Sequence, residues 1–225
     1  MTVADDLVVM FDGAEVHRFT GLRPRTEYRF HGHEVRTLEA SGELLCRFAT
    51  VNDVHFGEVE CGRIDDHQIG PIVRPEPGEP PYPETMNRAA IVEIEAIDPV
   101  AVVVKGDLTA FGTPEEFAAF DARYRGAFGE RLHVVRGNHD AYEGQDVHAG
   151  DRWIELPGVA VALMDTVVPR QTGGGWSDRQ MEWLDTHAAA ADRPVMVMGH
   201  HPQSLSGTGD PTHFNLSTEA SEALT

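Results

Sequence analysis

Four short stretches of this 225-residue chain carry side chains that can bind a cation or move a proton. They are Asp53-Val54-His55, Gly106-Asp107, Gly137-Asn138-His139-Asp140 and Gly199-His200-His201-Pro202. In the first, a hard carboxylate and an imidazole stand two residues apart, and both can turn onto one ion such as Mn, Fe or Zn. In the third, Asn138 offers a neutral oxygen to a metal and His139 offers a proton or a hydrogen bond. Asp140 can hold that histidine by its other nitrogen, and Gly137 lets the chain turn sharply without a Cβ. Carboxylates gathered in a protein interior repel one another unless a proton or a cation sits among them. A metal centre is the economical reading of the four stretches together.

Each stretch follows an apolar run that reads as a short strand: Leu45–Val51, Val100–Val104, Leu132–Val135 and Pro194–Met198. The run Val100–Val104 is continuously apolar, as expected for a sheet covered on both faces. Helices are expected between most of these strands. One runs from Thr85 to about Ile97, with Ala89, Ile91, Val92, Ile94 and Ala96 as its apolar stripe, and stops at Asp98-Pro99. A second starts at the capping box Thr113-Pro114-Glu115-Glu116 and runs to about Ala127, burying Phe117, Phe120, Tyr124 and Phe128. A third starts at the box Ser177-Asp178-Arg179-Gln180 and buries Met181, Leu184 and Ala188. Such alternation predicts an α/β fold whose strand ends share one sheet edge, where open α/β folds place ligands. Trp153–Leu156 and Val159–Met164 read as two further strands joined at Pro157-Gly158. Residues 57–85, rich in Gly and Pro, read as a long loop without regular structure that lies over His55. Asp65-Asp66-His67 inside it reads as solvated, with contact to a substrate as the other reading. The glycine run Gly173–Gly175 lacks the lysine of a nucleotide-binding P-loop.

Composition bounds the function. The formal net charge of −19 argues against a nucleic-acid polymer as partner. No apolar run approaches the ~20 residues that span a bilayer, so no membrane role is expected. The first residues lack the basic and apolar regions of a secretory signal, and the two cysteines, Cys46 and Cys61, make no disulfide framework. A reducing, cytoplasmic setting is the expectation. Residues 1–45 read as a β appendage, and His31 and His33 within it as ordinary exposed histidines.

In that appendage, Leu22-Arg23-Pro24-Arg25-Thr26-Glu27-Tyr28 resembles a segment of fibronectin type III domains whose tyrosine makes a corner-type hydrogen bond; 1–45 is short for such a domain and is expected to be a partial one. The ordered series Asp-x-His, Gly-Asp, Gly-Asn-His-Asp and His-His-Pro, over roughly residues 47–202, resembles the calcineurin-like metallophosphoesterase superfamily. It is most similar to the purple-acid-phosphatase-like and class III cyclic-nucleotide phosphodiesterase branches. The resemblance implies an α/β sheet sandwich flanked by helices over residues 46–225. It also implies two divalent or trivalent ions (Mn, Fe, Zn or Co). Asp53 and His55 would hold the first ion, Asp107 would bridge, and Asn138 and His200 would hold the second. His139 would stabilise the phosphate or protonate the leaving group, oriented by Asp140. The implied reaction is hydrolysis of a small phosphoric ester, a phosphodiester first of all, by in-line attack of a metal-bridging hydroxide. The alternatives are a phosphomonoesterase or nucleotidase on the same scaffold, or a non-catalytic metal-binding or interaction module. The loops 57–85 and 173–176 are expected to shape the pocket. Two departures stand out. Ala110 replaces the tyrosine that colours purple acid phosphatases, so no tyrosinate chromophore is expected. No Gly-His-x-His follows His201 up to Thr225, where His213 stands alone, so the C-terminal part of the domain is expected to be missing.

Overall fold

The computed structural model describes residues 1–12, 15–40, 42–64, 67–204 and 214–224, and the chain divides into two compact units, Met1–Leu44 and Leu45–Thr225. In the first unit, β1 (Thr2–Val3), β2 (Leu7–Asp12) and β3 (Glu15–Thr20) form an antiparallel sheet, and β4 (Glu27–Phe30) pairs with β5 (His33–Arg36). Alternation along β2 turns Val8 and Met10 inward onto Val35, with Phe19 and Phe30 stacked 3.9 Å apart beside them. The Tyr28 hydroxyl accepts the Arg23 N–H at 2.8 Å, a corner-type bond. His33 is exposed, and the described residues of this unit supply none of the candidate metal clusters.

The second unit runs β6 (Phe48–Val51), β7 (Cys61–Ile64), β8 (His67–Val73), α1 (Tyr82–Ile97), β9 (Ala101–Lys105), α2 (Pro114–Phe120), α3 (Gly126–Phe128) and β10 (Leu132–Val135). It continues with β11 (Arg152–Leu156), β12 (Val159–Leu163), α4 (Asp178–Ala190), β13 (Val195–Met198) and α5 (Thr218–Glu222). Two three-stranded sheets result: β10-β9-β6, all parallel, and β11-β12-β13, with β12 antiparallel to β11 and parallel to β13. The period-2 alternation of β9 assigns its side chains to two cores. Val102 and Val104 meet Ile94 of α1 and the aromatic row Phe117, Phe120, Tyr124 and Phe128. Ala101 and Val103 meet Ile154, Leu156, Val161 and Leu163 of the second sheet. On that sheet's other face, Ala162 and Met164 pack against Leu184, Met181 and Trp183 of α4. The layers are thus helix, sheet, sheet, helix. Each large apolar side chain so buried contributes about 1.5–3 kcal/mol.

Three expectations change. The stretch 57–85 is not a bare loop: β7 and β8 form a hairpin, because β-branched Ile72 and Val73 after Gly70-Pro71 sustain pairing at a two-stranded edge. Asp65 and Asp66 lie outside the described residues, as does His213. α1 starts earlier, at Tyr82, and its inward face is rotated: Pro83, Asn87 and Ile94 are buried, while Ala89, Val92 and Ala96 are exposed. The reason is polar. The Asn87 amide donates to the Val54 carbonyl at 2.8 Å and accepts the Tyr124 hydroxyl at 2.7 Å, so a buried asparagine takes a place in the stripe. The second helix widens into a π turn over Asp121–Arg125, which keeps Tyr124 inside. Among the described residues no helix is long and apolar enough to cross a membrane.

Candidate metal centre

The backbone brings the first two motifs together beyond the ends of β6 and β9. Asp53 N–H donates to Gly106 O at 3.1 Å, His55 N–H to Asp107 O at 3.0 Å and Phe56 N–H to Leu108 O at 2.9 Å, so the two loops are zipped to each other. Asp53, His55 and Asp107 all sit in the left-handed region, with φ of 56°, 45° and 50°. That region costs a non-glycine residue of order 1–3 kcal/mol, and three such residues persist only where the surroundings over-determine them. Here the zipped loops and the Asn87–Tyr124 clamp on Val54, between Asp53 and His55, do so.

Two glycines let the remaining motifs close in. At Gly106 a Cβ would meet the His200 ring at 2.6 Å, and at Gly137 a Cβ would meet Asp107 Oδ1 at 2.2 Å. Asp140, fully buried, staples the same region. Its carboxylate accepts Leu108 N–H at 3.0 Å, Thr109 N–H at 2.9 Å, the Thr109 hydroxyl at 2.6 Å and Gly137 N–H at 2.8 Å. Burial raises its pKa, and these donors hold the rise in check. This is a different part from the one expected of it. The His139 ring is oriented not by Asp140 but by the Ala110 carbonyl, 2.8 Å from Nδ1; every oxygen lone pair of Asp140 that could serve is already engaged by the 107–109 and 137 loops.

At the centre stands Asp107, 4 % exposed. Its two oxygens face different histidines: Oδ1 lies 3.4 Å from His200 Nε2, Oδ2 3.6 Å from His55 Nε2. Oδ1 also accepts the His139 N–H at 3.0 Å, and His139 Nε2 stands 4.0 Å from Oδ2. Asp53 Oδ1 is 3.9 Å from His55 Nε2. Among the described residues, two groups have donor atoms within 4.8 Å of one another, Asp53–Asp107–His200 and His55–Asp107–His139, and Asp107 belongs to both. Asn138 joins the first, its Oδ1 3.0 Å from His200 Nε2.

The chemistry of this donor set fits cations. His200 Nδ1 faces the Lys105 carbonyl at 2.9 Å, which places a proton there and leaves Nε2 as a lone pair. Asn138 directs its amide N–H to the Tyr142 hydroxyl at 2.8 Å, so its oxygen faces the same lone pair. Two acceptors 3.0 Å apart need a proton or a metal ion between them. Without a metal, protons fill that role. Burial opposes a charged His200, but the Asp107 carboxylate outweighs it and raises the pKa to about 9. Burial likewise opposes a charged Asp53, yet its bonds to His55 and Asn52 hold it down at about 2. Asp107 is lowered against burial by His200, and His55 is raised against burial by Asp53 and Asp107.

Of the adjacent pair, only His200 faces the cluster. His201 is held between the Thr166 hydroxyl at 2.7 Å and the Thr172 carbonyl at 3.2 Å, and burial with the neighbouring His200 lowers its pKa to about 4. Gly174 covers it, where a Cβ would meet the ring at 2.4 Å, so the glycine run packs on a histidine. Some residues of the site escaped sequence reasoning. Glu58 lies 3.8 Å from His55 Nδ1, a buried nitrogen without a hydrogen-bond partner among the described residues, and is itself held by the Tyr82 hydroxyl. The only signal for Glu58 was its position three residues after His55.

Residues 46–220 match the family model described as calcineurin-like phosphoesterase. The chain belongs to that family. Among curated proteins, this family member resembles a protein named probable cyclic nucleotide phosphodiesterase from Rhodococcus erythropolis (strain PR4 / NBRC 100887), at 32 % identity. The match covers 46 % of this chain and 39 % of the relative, so the chain spans about two fifths of that protein's length. As a calcineurin-like phosphoesterase the chain falls among hydrolases, and its Asp and His clusters are ones that can hold metal.

Proposed function

We propose that this chain hydrolyses small phosphodiesters at a two-cation centre held by Asp53, His55, Asp107, Asn138 and His200. The observation that carries the reading is Asp107, whose two oxygens face His55 on one side and His200 on the other. A carboxylate so placed would serve two ions at once. Bound there, two cations would supply Lewis acidity toward the phosphoryl oxygens and lower the pKa of a water so that it attacks at neutral pH.

The chain's own residues do the rest. Asn138 is aimed by Tyr142 and His200 by Lys105 O, so both already point at the place of an ion, and His200 would release its Nε2 proton on binding one. His139 has Nδ1 committed to Ala110 O, and Nε2 is the nitrogen turned toward Asp107. A proton on Nε2 can pass to a departing alkoxide, the part of a general acid. The motifs line a cleft of about 590 Å³, which suits a ligand the size of a nucleotide. The preference for a diester is supported by the name of the Rhodococcus relative.

The test is turnover of bis-p-nitrophenyl phosphate against p-nitrophenyl phosphate after loading with Mn(II) or Zn(II). A metal-dependent rate favouring the diester, abolished by Asp107→Ala, is expected. Faster turnover of the monoester would move the reading to a phosphomonoesterase, and full activity in Asp107→Ala would refute the site.

A further inference from the structure

Helix α1 braces His55 on both sides in sequence. Its Asn87 donates to the Val54 carbonyl at 2.8 Å, just before the histidine. Its first residue, Tyr82, gives its hydroxyl to Glu58 Oε2, just after it. Glu58 is tied back to the histidine by the backbone, its N–H donating to His55 O at 3.1 Å. Its carboxylate nonetheless stops short. Oε2, the oxygen that Tyr82 holds, lies 3.8 Å from His55 Nδ1, beyond the ~2.7–3.2 Å of a hydrogen bond. Nδ1 is left buried and, among the described residues, without a partner.

That orphaned nitrogen bears on metal binding. His55 Nε2 faces the carboxylates of Asp107 and Asp53 at 3.6 and 3.9 Å, so on the two-cation reading proposed above Nε2 would take an ion. The proton of the imidazole then stands on Nδ1. A metal-binding histidine almost always gives that N–H to a carboxylate, carbonyl or water, which orients the ring and makes it a stronger ligand. Here a carboxylate is at hand, and a phenol holds the very oxygen that would accept. We propose that Tyr82 competes with His55 for Glu58, and so sets how tightly His55 holds its cation. Tyr82 is a positioning residue: it acts through Glu58. Without a cation, Glu58 Oε2 stays with Tyr82. A cation at Nε2 would polarise Nδ1–H, and Oε2 would move to it. The Tyr82 hydroxyl is not stranded by the exchange, because Cys61 stands beside it and a thiol sulfur is a weak acceptor. One charge-assisted bond replaces another, so the net effect is modest. The competition loosens the hold on the cation relative to a chain in which Glu58 is free.

The inference rests on the two-cation reading, and the experiment separates the two. Zn(II) affinity of the chelator-stripped full chain is measured by competition with a fluorescent chelator, for the native chain, Tyr82→Phe, Glu58→Gln and the double variant. The binding step read is the one that His55→Ala weakens. Tyr82→Phe removes only the hydroxyl and is expected to tighten that step about threefold to tenfold, the worth of one hydrogen bond. In the Glu58→Gln background the same change is expected to have no effect, which a general loosening of α1 would not reproduce. Unchanged or weaker binding in Tyr82→Phe overturns the inference and leaves the centre standing, as does an equal gain in the Glu58→Gln background. A native chain that binds no Zn(II) overturns the two-cation reading and the inference with it. The second readout is spectroscopic. Zn(II) titrated into the native chain is expected to shift the near-ultraviolet absorption of a tyrosine that loses its carboxylate partner. That component is expected to be missing from both Tyr82→Phe and Glu58→Gln, so the exchange is read even where one variant does not fold. Difference spectra identical in the native chain and the folded variant would show that Tyr82 keeps Glu58, and would overturn the exchange.

Discussion

Asp140→Asn probes how the motif loops are held. The substitution conserves shape and removes one of two acceptor oxygens. In the native chain Oδ2 accepts Leu108 N–H and Gly137 N–H, while Oδ1 accepts Thr109 N–H and the Thr109 hydroxyl. An amide NH2 at the Oδ1 position is the better fit, because the Thr109 hydroxyl can rotate and accept from it. Thr109 N–H is then left facing a donor in a fully buried place. One unsatisfied buried N–H costs about 1–3 kcal/mol, and the remaining bonds lose their charge assistance, which adds about 1 kcal/mol. Relief of the burial that raises the Asp140 pKa offsets part of this. The expected loss is about 2–3 kcal/mol for Asp140→Asn and about 4–5 kcal/mol for Asp140→Ala, which strands all four donors. Urea unfolding followed by tryptophan fluorescence is the assay: Trp153, Trp176 and Trp183 all lie in the Leu45–Thr225 unit, so the signal is blind to the first unit. A loss under about 1 kcal/mol for Asp140→Ala would refute the staple.

Glu58 sits 3.8 Å from His55 Nδ1, the distance from which a carboxylate can move in to orient a ligating imidazole. Glu58→Gln is therefore expected to weaken metal binding about 10–100-fold in competition with a fluorescent chelator, and an unchanged affinity would remove Glu58 from the site. In chelator-treated protein the two neighbouring histidines titrate in opposite senses. His200, raised to about 9, stabilises the fold fully below its unfolded pKa near 6.5, and this is lost as pH rises through 9. His201, lowered to about 4, favours the fold above 6.5, and this is lost as pH falls through 4. The metal-free chain should be most stable near pH 6.5, a maximum that His201→Asn broadens on the acid side; stability still rising toward pH 9 would contradict the His200 assignment.

Much of the second unit was legible because its signals are local. Four apolar runs each ended in a candidate donor, and the two capping boxes Thr113–Glu116 and Ser177–Gln180 marked helix starts that the structure reproduces. What was not legible depended on partners distant in sequence. Asn87 looked like a polar interruption of a helix, yet its bonds to Val54 and Tyr124 set which face of α1 turns inward. Asp140 stands beside His139 in sequence, which invites pairing them, but its acceptors are claimed by amides of residues 108, 109 and 137. The hairpin β7–β8 was hidden by prolines, which read as loop in sequence and are tolerated at an unpaired edge.

The central claim is that one carboxylate, Asp107, is shared by two cations. The most direct measurement is metal content with electron paramagnetic resonance on chelator-stripped chain reloaded with Mn(II). Two Mn(II) per chain with a spin-coupled signal are expected, and in Asp107→Asn loss of the coupling with at most one ion retained. A single uncoupled ion in the native chain, or a coupled pair that survives Asp107→Asn, would contradict the claim.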